Sequence, residues 1–251
     1  ERNKKMNPPN KAPARPGFEE IRQKAETRRK AFNEAPGPKI HIGMATCGIA
    51  SGALATKDAF EQALAQHGIE ARIHTVGCIG HCYAEPYVII DHPQSGFPPI
   101  FYADVNPGKA RMLTNLFLAE GDPRFEHVLG ATEENDMIPW VMEFSRFNQE
   151  KRVVMDKCGR IDPEDIYDYI AEDGYATLVD MLQRSPEDVI QHIKDPGLIS
   201  MGGAGFRTGV KWEQAAEEPQ DTKLVICNAD EGDPGAYMDR TILESNPHQV
   251  L

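Results

Sequence analysis

The chain has 251 residues, of which 40% are hydrophobic and 26% charged, and its formal net charge is −12 at pH 7. This length suits one large domain or two ordinary ones. The excess of acidic residues argues against nucleic-acid binding as the main function. No apolar run approaches the roughly 20 residues that a membrane-spanning helix needs.

The cysteine content bears on the cellular compartment. The chain has five cysteines, and no apolar segment of a secretory signal follows its first residues. An odd number of cysteines without such a signal indicates a reducing compartment, where thiols serve as metal ligands or as small buried side chains. We therefore expect a cytoplasmic protein. Because the chain starts at Glu1 and ends at Leu251 without a polar tail, we also expect it to be a segment of a longer polypeptide.

The first 37 residues are predicted to form an N-terminal arm and a helix. Residues 1–17 are rich in Pro, Asn and Lys, a composition typical of chain without a fixed structure. From Phe18 to Asn33 the apolar residues fall on one face, which predicts a helix. This helix packs on its own domain or docks on a partner subunit.

Residues 38–121 have the pattern of a small α/β domain. Strands are predicted at 39–44, 71–76, 87–90 and 99–102, and helices at 53–67 and 108–120. The order β-α-β-β-β-α with short connections favours a thioredoxin-like sheet.

A connector is predicted at 122–160, irregular except for a short strand at 152–155. Residues 161–251 are predicted to form part of a second α/β domain. Its first helices begin near Asp162 and Ser185, each of which is followed by Pro and acidic residues, as at many helix starts. A further helix is predicted at about 208–217 and a strand at 223–227.

Three cysteines fall on loops that follow neighbouring strands of the predicted sheet. Cys47 comes after the first strand, and Cys78 and Cys82 form a Cys-x3-Cys pair after the second. Loops after neighbouring parallel strands lie close together, so the three thiolates can converge on one iron–sulfur cluster, although four cysteines are usual. The alternative is three scattered buried thiols. Cys158 and Cys227 are interpreted as buried packing residues.

A glycine-rich loop marks the second predicted ligand site. The run from Ser200 to Trp212 contains four glycines within eight residues and then a Lys-Trp pair. Glycines allow a planar ligand to approach the backbone closely, and the lysine can meet a phosphate as a point charge. The spacing matches neither the P-loop nor the Gly-x-Gly-x-x-Gly fingerprint. A polar loop, Asn228 to Gly235, follows the predicted strand at 223–227, where open α/β sheets place their ligands.

The cysteine pair carries a resemblance to a known family. The run Gly77-Cys78-Ile79-Gly80-His81-Cys82, followed by Glu85-Pro86, resembles the second cysteine pair of thioredoxin-like [2Fe-2S] ferredoxin domains. In that family an earlier pair supplies the other two ligands. Cys47 matches the second position of that earlier pair, and its first position falls near Ile42, so one ligand is missing. The resemblance implies that Ser51, Thr46, His74 or His81 substitutes, or that the cluster is lost.

The glycine loop and the polar loop carry a second resemblance. The segments Gly202 to Trp212, Cys227 to Gly235 and Asp239 to Glu244 resemble the flavin-bearing, NADH-oxidising subunit of respiratory complex I and its relatives in NAD-linked hydrogenases and formate dehydrogenases. The run from Cys158 to Glu164 is shared with the hydrogenase-type members, which carry a fused thioredoxin-like domain. The implied fold is a thioredoxin-like domain followed by the first part of an α/β FMN-binding domain.

The resemblance implies a role for each matching residue. The residues implied to contact the flavin or its ribityl-phosphate arm are Gly202, Lys211, Asn228 and Asp230. Those implied to face the NAD(H) dinucleotide are Gly203, Phe206 and Asp233. Cys47, Cys78 and Cys82 are the implied iron ligands, and no residue is implied to act as a general acid.

The resemblance also has departures. The Arg-Gly-Arg that usually precedes the paired glycines is replaced here by Ile199-Ser200-Met201, and the second half of the family's domain is absent. The implied function is an electron-transfer subunit of a multi-subunit oxidoreductase that uses NAD(H), FMN and iron–sulfur clusters, with other iron–sulfur or catalytic subunits as partners. The alternative is a non-catalytic scaffold subunit that kept the fold and lost one or more cofactors.

Overall fold

The computed structural model describes residues 16–200 and 204–251, and these divide into two compact units. The larger unit combines residues 24–172 with residues 230–251, and the smaller unit contains the other described residues. Among these residues, no helix has the length and apolar character that crossing a membrane requires. The domain boundaries expected at residues 37, 121 and 160 stay predictions.

The larger unit is built on a five-stranded mixed sheet in the order β2-β1-β3-β4-β5. The strands are β1 Lys39–Gly43, β2 Arg72–Val76, β3 Val88–Asp91, β4 Ile100–Tyr102 and β5 Val128–Ala131. Strand β1 pairs in parallel with β2 and antiparallel with β3, and the remaining pairs are antiparallel. This topology confirms the thioredoxin-like α/β fold expected from the sequence.

The helices follow the sheet in chain order. They are α1 Pro16–Asn33, α2 Thr46–Ala50, α3 Ala53–His67, α4 Pro107–Leu113, α5 Ile166–Ala171, α6 Ala176–Met181, α7 Pro186–Lys194, α8 Thr208–Glu217, α9 Met238–Ser245 and α10 Pro247–Val250. A π-helical segment, Thr114–Ala119, continues α4, and short 3-10 turns span Cys82–Ala84, Phe125–His127 and Val141–Glu143. Helix α3 ends at His67, as predicted, and the next residue, Gly68, takes a left-handed conformation.

The two faces of the sheet bury different sets of side chains, because successive residues of a strand point to opposite sides. One face packs under α3 and α4, and its buried residues include Ile40, Ile42, Phe60, Val88, Ile90, Ile100, Leu113 and Phe117. The opposite face buries a second apolar cluster that includes Val76, Tyr87, Phe101 and Phe147. The sheet is therefore covered on both sides.

A polar cluster joins α1 to β1, β2 and α5 within the larger unit. Arg29 makes ion pairs with Asp168 at 3.0 Å and with Glu172 at 3.1 Å. The Nε2 atom of His74 lies 3.0 Å from Asp168, and its Nδ1 lies 3.2 Å from Nδ1 of His41. Burial would raise the pKa of Asp168, but hydrogen bonds from His74 and from a backbone N–H, with the charge of Arg29, lower it to about 2. Helix α1 therefore packs on its own chain by polar contacts.

The smaller unit contains α6, α7 and α8. Ser185 caps α7 by accepting a hydrogen bond from the N–H of Asp188 at 3.1 Å, as predicted. Helix α8 spans the residues predicted for it and packs against α7. A Cβ atom at Gly209 would overlap Lys194, so this glycine allows the two helices to approach. Gly209 therefore has a packing role.

Several sequence predictions are wrong in detail. The predicted strands at 152–155 and 223–227 are not strands, since no neighbouring strand in the described chain pairs with either segment. Leu224, Val225 and Ile226 are instead almost fully exposed, and Cys227 is exposed rather than buried. Cys158 is buried, as predicted.

Two further corrections concern the connector and the start of α5. The connector predicted to be irregular contributes β5, which the sequence pattern does not reveal. Helix α5 is capped by Asp165, whose carboxylate accepts a hydrogen bond from the N–H of Tyr167 at 2.9 Å, and not by Asp162. Asp162 instead accepts a hydrogen bond from the N–H of Glu164 in the preceding turn.

The polar cluster predicts that the stability of the chain falls on acidification. Burial, together with the charges of His74, Arg29 and Lys39, lowers the pKa of His41 to about 3, although Asp168 opposes this. The folded state then binds fewer protons than the unfolded state below about pH 6.5, so stability is lost as the pH falls from that value. We expect the free energy of unfolding to drop by about 2 kcal/mol between pH 7.5 and pH 5, since one proton is linked at about 1.4 kcal/mol per pH unit.

The measurement is denaturant unfolding at several pH values. His41→Phe should flatten the pH dependence, whereas the control His67→Gln, at an exposed position on α3, should retain it. An unchanged slope in His41→Phe would show that His41 is not the group responsible.

Candidate functional site

The three predicted iron ligands lie together at one edge of the sheet. The Sγ atoms of Cys47, Cys78 and Cys82 all lie within 4.8 Å of one another, and those of Cys78 and Cys82 are 3.8 Å apart. Cys78 is buried and the other two are partly buried. The alternative prediction, that the three thiols are scattered, is therefore wrong. That these thiols bind a metal stays a prediction.

Strand geometry explains why the thiols converge. The N–H of Met44, just after β1, donates to the carbonyl of Val76 at the end of β2. The loop after β1 carries Cys47 on helix α2, and the loop after β2 carries Cys78 and Cys82. Parallel strands place their carboxyl ends at the same edge, so both loops meet there.

The surroundings of Cys47 and Cys82 favour the protonated forms of these two thiols when no cation is near. The hydrogen bond with Cys78 and burial raise the pKa of Cys47 above its ordinary value. Burial and the neighbouring Cys47 raise the pKa of Cys82. A bound metal ion reverses this preference, because its charge stabilises thiolates. The N–H of Gly80 already donates to Sγ of Cys78 at 3.2 Å, a contact typical of iron–sulfur sites.

A buried carboxylate lies beside the thiols. Glu85 is only 5% exposed, and its Oε1 is 3.6 Å from Sγ of Cys47. Its Oε2 accepts a hydrogen bond from the N–H of Tyr87 at 3.2 Å. Burial raises the pKa of Glu85. The sequence prediction did not assign Glu85 to the site, although the signal was present as an acidic residue three positions after the Cys-x3-Cys pair.

The four residues expected to replace the missing cysteine have other surroundings. The Oγ1 of Thr46 donates to Glu244, and Nε2 of His74 contacts Asp168. The ring of His81 stacks on Phe147, and its Nε2 lies 2.9 Å from a carboxylate oxygen of Glu150 without hydrogen-bond geometry. Ser51 is exposed. In the described chain, the group whose ligand atoms all lie within 4.8 Å of one another contains the three cysteines, and neither these four residues nor Glu85 belongs to it.

Helix α9 packs against the two cysteine loops. The carboxylate of Glu244 accepts hydrogen bonds from the N–H and the hydroxyl of Thr46, at 2.9 and 2.5 Å. Ser245 is fully buried and packs so closely on Gly77 that a Cβ atom at Gly77 would overlap it. Helix α9, which contains one of the segments that resemble the flavin-bearing subunit, thus contacts the loops that carry the thiols.

The predicted flavin and dinucleotide residues are divided between the two units. Gly202 and Gly203 lie outside the described residues. In the smaller unit, the ammonium group of Lys211 lies 5.7 Å from the centre of the Phe206 ring, and both residues are exposed. Asn228, in the same unit, is exposed. The remaining two, Asp230 and Asp233, belong to the larger unit.

Backbone contacts shape the glycine loop. The N–H of Ser200 donates to the carbonyl of Phe206 at 2.8 Å, and the N–H of Gly205 donates to the carbonyl of Ser200 at 3.0 Å. Ala204 and Gly205 both have positive φ angles, which glycine adopts without strain. The loop leads directly into α8, whose first turn has no side-chain cap. The N–H groups at this helix end favour an anion.

In the larger unit, the polar loop is organised by Glu231. Its carboxylate accepts hydrogen bonds from the N–H groups of Asp239 and Arg240, at 2.7 and 3.2 Å, and so caps α9. A Cβ atom at Gly232 would come within 2.6 Å of a carboxylate oxygen of Asp230. Glycine at this position therefore leaves room for that carboxylate. Glu231 had no predicted role, and the structure gives it a helix-capping one.

One protein-family model matches the last part of the chain. Residues 193–251 match the family model of the Nuo51 FMN-binding domain. This part of the chain is therefore similar to that family, which confirms the resemblance found in the sequence. The match begins at residue 193, within α7.

Curated relatives match a larger part of the chain. The NADP-reducing hydrogenase subunit HndC of Solidesulfovibrio fructosivorans is 48% identical over 103 residues, which are 41% of this chain and 21% of the relative. The subunit alpha of the NAD-reducing hydrogenase HoxS of Cupriavidus necator is 31% identical over 176 residues, 69% of this chain and 26% of the relative. The chain therefore spans about a quarter or less of these relatives.

A solved structure aligns with part of the chain. The thioredoxin-like [2Fe-2S] ferredoxin of Aquifex aeolicus is 18% identical, with a TM-score of 0.32, and the alignment covers 38% of this chain and 98% of that chain.

The close contact between Gly77 and α9 generates a prediction. Gly77→Ala should push α9 away from the cysteine loop and lower the free energy of unfolding by about 1–3 kcal/mol, the usual effect of overpacking. The control is Gly17→Ala, because a Cβ atom at Gly17 meets nothing within 4 Å. Denaturant unfolding of both variants checks this, and equal stability of the two would contradict the packing argument.

Proposed function

We propose that the chain is part of an electron-transfer subunit of a multi-subunit oxidoreductase, passing electrons between NAD(H), FMN and an iron–sulfur cluster. The observation that carries this proposal is the presence, in one chain, of an FMN-binding domain segment and three converging thiols. The proposal is supported by relatives named as subunits of NADP-reducing and NAD-reducing hydrogenases and of NADH-quinone oxidoreductases.

The donor chemistry supports a [2Fe-2S] cluster at the three thiols. Thiolates are the usual ligands of such clusters, and Cys47, Cys78 and Cys82 are near enough to share one. Hydrogen bonds to the sulfurs, such as that from the Gly80 N–H, tune the reduction potential of these centres. We assign these three cysteines as the iron ligands.

We assign the flavin and dinucleotide roles by match to the family. Gly202, Lys211, Asn228 and Asp230 hold the FMN ring or its ribityl-phosphate arm, and Gly203, Phe206 and Asp233 face the NAD(H) dinucleotide. The uncapped start of α8 and the exposed Lys211 ammonium suit a phosphate group. The exposed ring of Phe206 offers an aromatic face for stacking.

These assignments define what the chain itself contributes. FMN accepts a hydride as an electron pair and releases electrons one at a time. The side chains named here bind and orient the cofactors, and no residue is assigned as a general acid or base.

The remaining parts of the proposal concern organisation and setting. The domains are an arm and helix at 1–37, a thioredoxin-like ferredoxin domain at 38–121, a connector at 122–160 and the first part of the FMN- and NAD-binding domain at 161–251. The partners are other iron–sulfur or catalytic subunits of the same complex. The location is the cytoplasm, where a reducing environment keeps the thiols available as ligands.

A test of the proposal begins with the wild-type full-length protein. Denaturing it should release FMN, and NADH should reduce an artificial dye in its presence. If no flavin is released and no dye is reduced, the scaffold function is supported instead. The replacement of Arg-Gly-Arg by Ile199-Ser200-Met201 motivates that alternative, because it removes positive charge beside an anionic cofactor.

The position of Lys211 generates the matching mutational prediction. Lys211→Ala should weaken FMN binding by roughly 10-fold, since one charge-assisted contact to phosphate contributes about 1.5 kcal/mol. The control Lys57→Ala removes a lysine that pairs with Glu61 on the surface of α3, and it should leave FMN affinity unchanged. Fluorescence titration of the flavin-stripped protein with FMN measures both. Equal affinity in the two variants would remove Lys211 from the proposed site.

A further inference from the structure

The strongest unexplained feature of the larger unit is the buried carboxylate of Glu85. It is only 5% exposed, and no lysine or arginine of the described chain lies within ion-pair distance of it. Its polar contacts are the N–H of Tyr87 and the thiols of Cys47 and Cys78. Burying a carboxylate without a cation is unfavourable. Either protonation of the carboxylate or a positive charge bound beside it would offset this cost.

Two glycines pack closely beside this carboxylate. A Cβ atom at Gly43, the last residue of β1, would lie 2.5 Å from the ring of Tyr87 and 2.8 Å from Oε2 of Glu85. One at Gly48 would lie 2.4 Å from the carbonyl oxygen of Gly43 and 3.0 Å from the same Glu85 oxygen. The two glycines flank Cys47 in the chain. Oε2 of Glu85 is therefore one of several atoms for which these glycines leave room.

The distance of Glu85 from the thiols suits a fourth ligand of the cluster. Three thiols converge, and four ligands are usual for a [2Fe-2S] cluster. Oε1 of Glu85 lies 3.6 Å from Sγ of Cys47, close to the 3.8 Å that separates Sγ of Cys78 from Sγ of Cys82. Carboxylate oxygen is a suitable ligand for iron. The other candidates, Thr46 and His74 among them, are engaged by other carboxylates.

We propose that the carboxylate of Glu85 is the fourth ligand of the iron–sulfur cluster held by Cys47, Cys78 and Cys82. The cluster then has three thiolate ligands and one oxygen ligand, and its two irons differ. The inference rests on the proposed function, because it takes the cluster as present. Ligation of iron also explains why the carboxylate of Glu85 is buried beside the thiols, which a cluster held by the three thiols alone does not explain.

The test uses the full-length protein, purified without oxygen and reconstituted with iron and sulfide. The probe is iron itself, measured with acid-labile sulfide, zinc content and visible absorbance. Glu85→Gln keeps the shape of the side chain and removes its charge. We expect it to lower iron affinity by at least roughly 10-fold, since even groups outside the ligand set change metal affinity by 10- to 100-fold.

The matched control is Glu244→Gln. Glu244 also contacts the cysteine loop, through Thr46, and its amide variant still accepts a hydrogen bond. This control should retain wild-type iron content. Far-ultraviolet circular dichroism and unfolding of both variants establish that each is folded.

A spectroscopic measurement separates ligation from a structural role. Protein labelled with ¹³C at glutamate carboxylates, with the cluster reduced by dithionite, should show a ¹³C hyperfine coupling in electron–nuclear double resonance. Glu85→Gln should abolish this coupling, or leave no cluster to observe, whereas Glu244→Gln should retain it. A carboxylate that only supports the loop would give no such coupling in the wild type.

The outcomes distinguish the inference from the proposed function. A wild-type cluster without ¹³C coupling, or a Glu85→Gln variant with wild-type iron affinity, overturns the role of Glu85 and leaves the electron-transfer function standing. A wild-type protein that binds neither iron nor sulfide overturns both. The same result follows if the site takes zinc alone, because zinc carries no electrons.

Discussion

The position of β1 between a parallel and an antiparallel neighbour determines the architecture of the cysteine site. Its parallel neighbour β2 ends at the same edge of the sheet, whereas its antiparallel neighbour β3 begins there. The hydrogen bonds at the end of β1 show both relations. The N–H of Gly43 donates to the carbonyl of Tyr87, just before β3, and the N–H of Met44 donates to the carbonyl of Val76 in β2. Two strand ends and one strand start therefore meet, which brings together Cys47, the Cys-x3-Cys loop and Glu85.

Close packing at this edge extends to the segment that resembles the FMN-binding family. Ser245 of α9 lies on Gly77, and Glu244 holds Thr46 beside Cys47. Thr46 and Gly77, the two residues of the cysteine loops that contact α9, immediately precede Cys47 and Cys78 in the chain.

The sequence predicted those features that depend on local pattern. Alternating apolar residues predicted the positions of β1 to β4 to within one residue at each end. The predicted end of α3, just before Gly68, is also the observed end. It did not predict β5, because residues 128–131 have no alternation strong enough to distinguish a strand that is added at the edge by pairing with β4. The apolar run at 224–226 had the pattern of a buried strand, but a strand forms only where a neighbour supplies hydrogen bonds, and none does so in the described chain.

The site shows the same division between local and non-local information. Cysteine spacing predicted that three thiols could converge, because each thiol follows a strand end. Closeness in sequence to those cysteines suggested Thr46, Ser51 and His81 as the fourth ligand. In the structure, Thr46 and His81 lie beside other carboxylates, and Ser51 is exposed to solvent. Glu85 follows the Cys-x3-Cys pair by three residues and lies just before β3, but an acidic residue at that spacing does not by itself indicate a ligand. Its burial beside Cys47 and its closeness to Gly43 and Gly48 become evident only once the strands are paired.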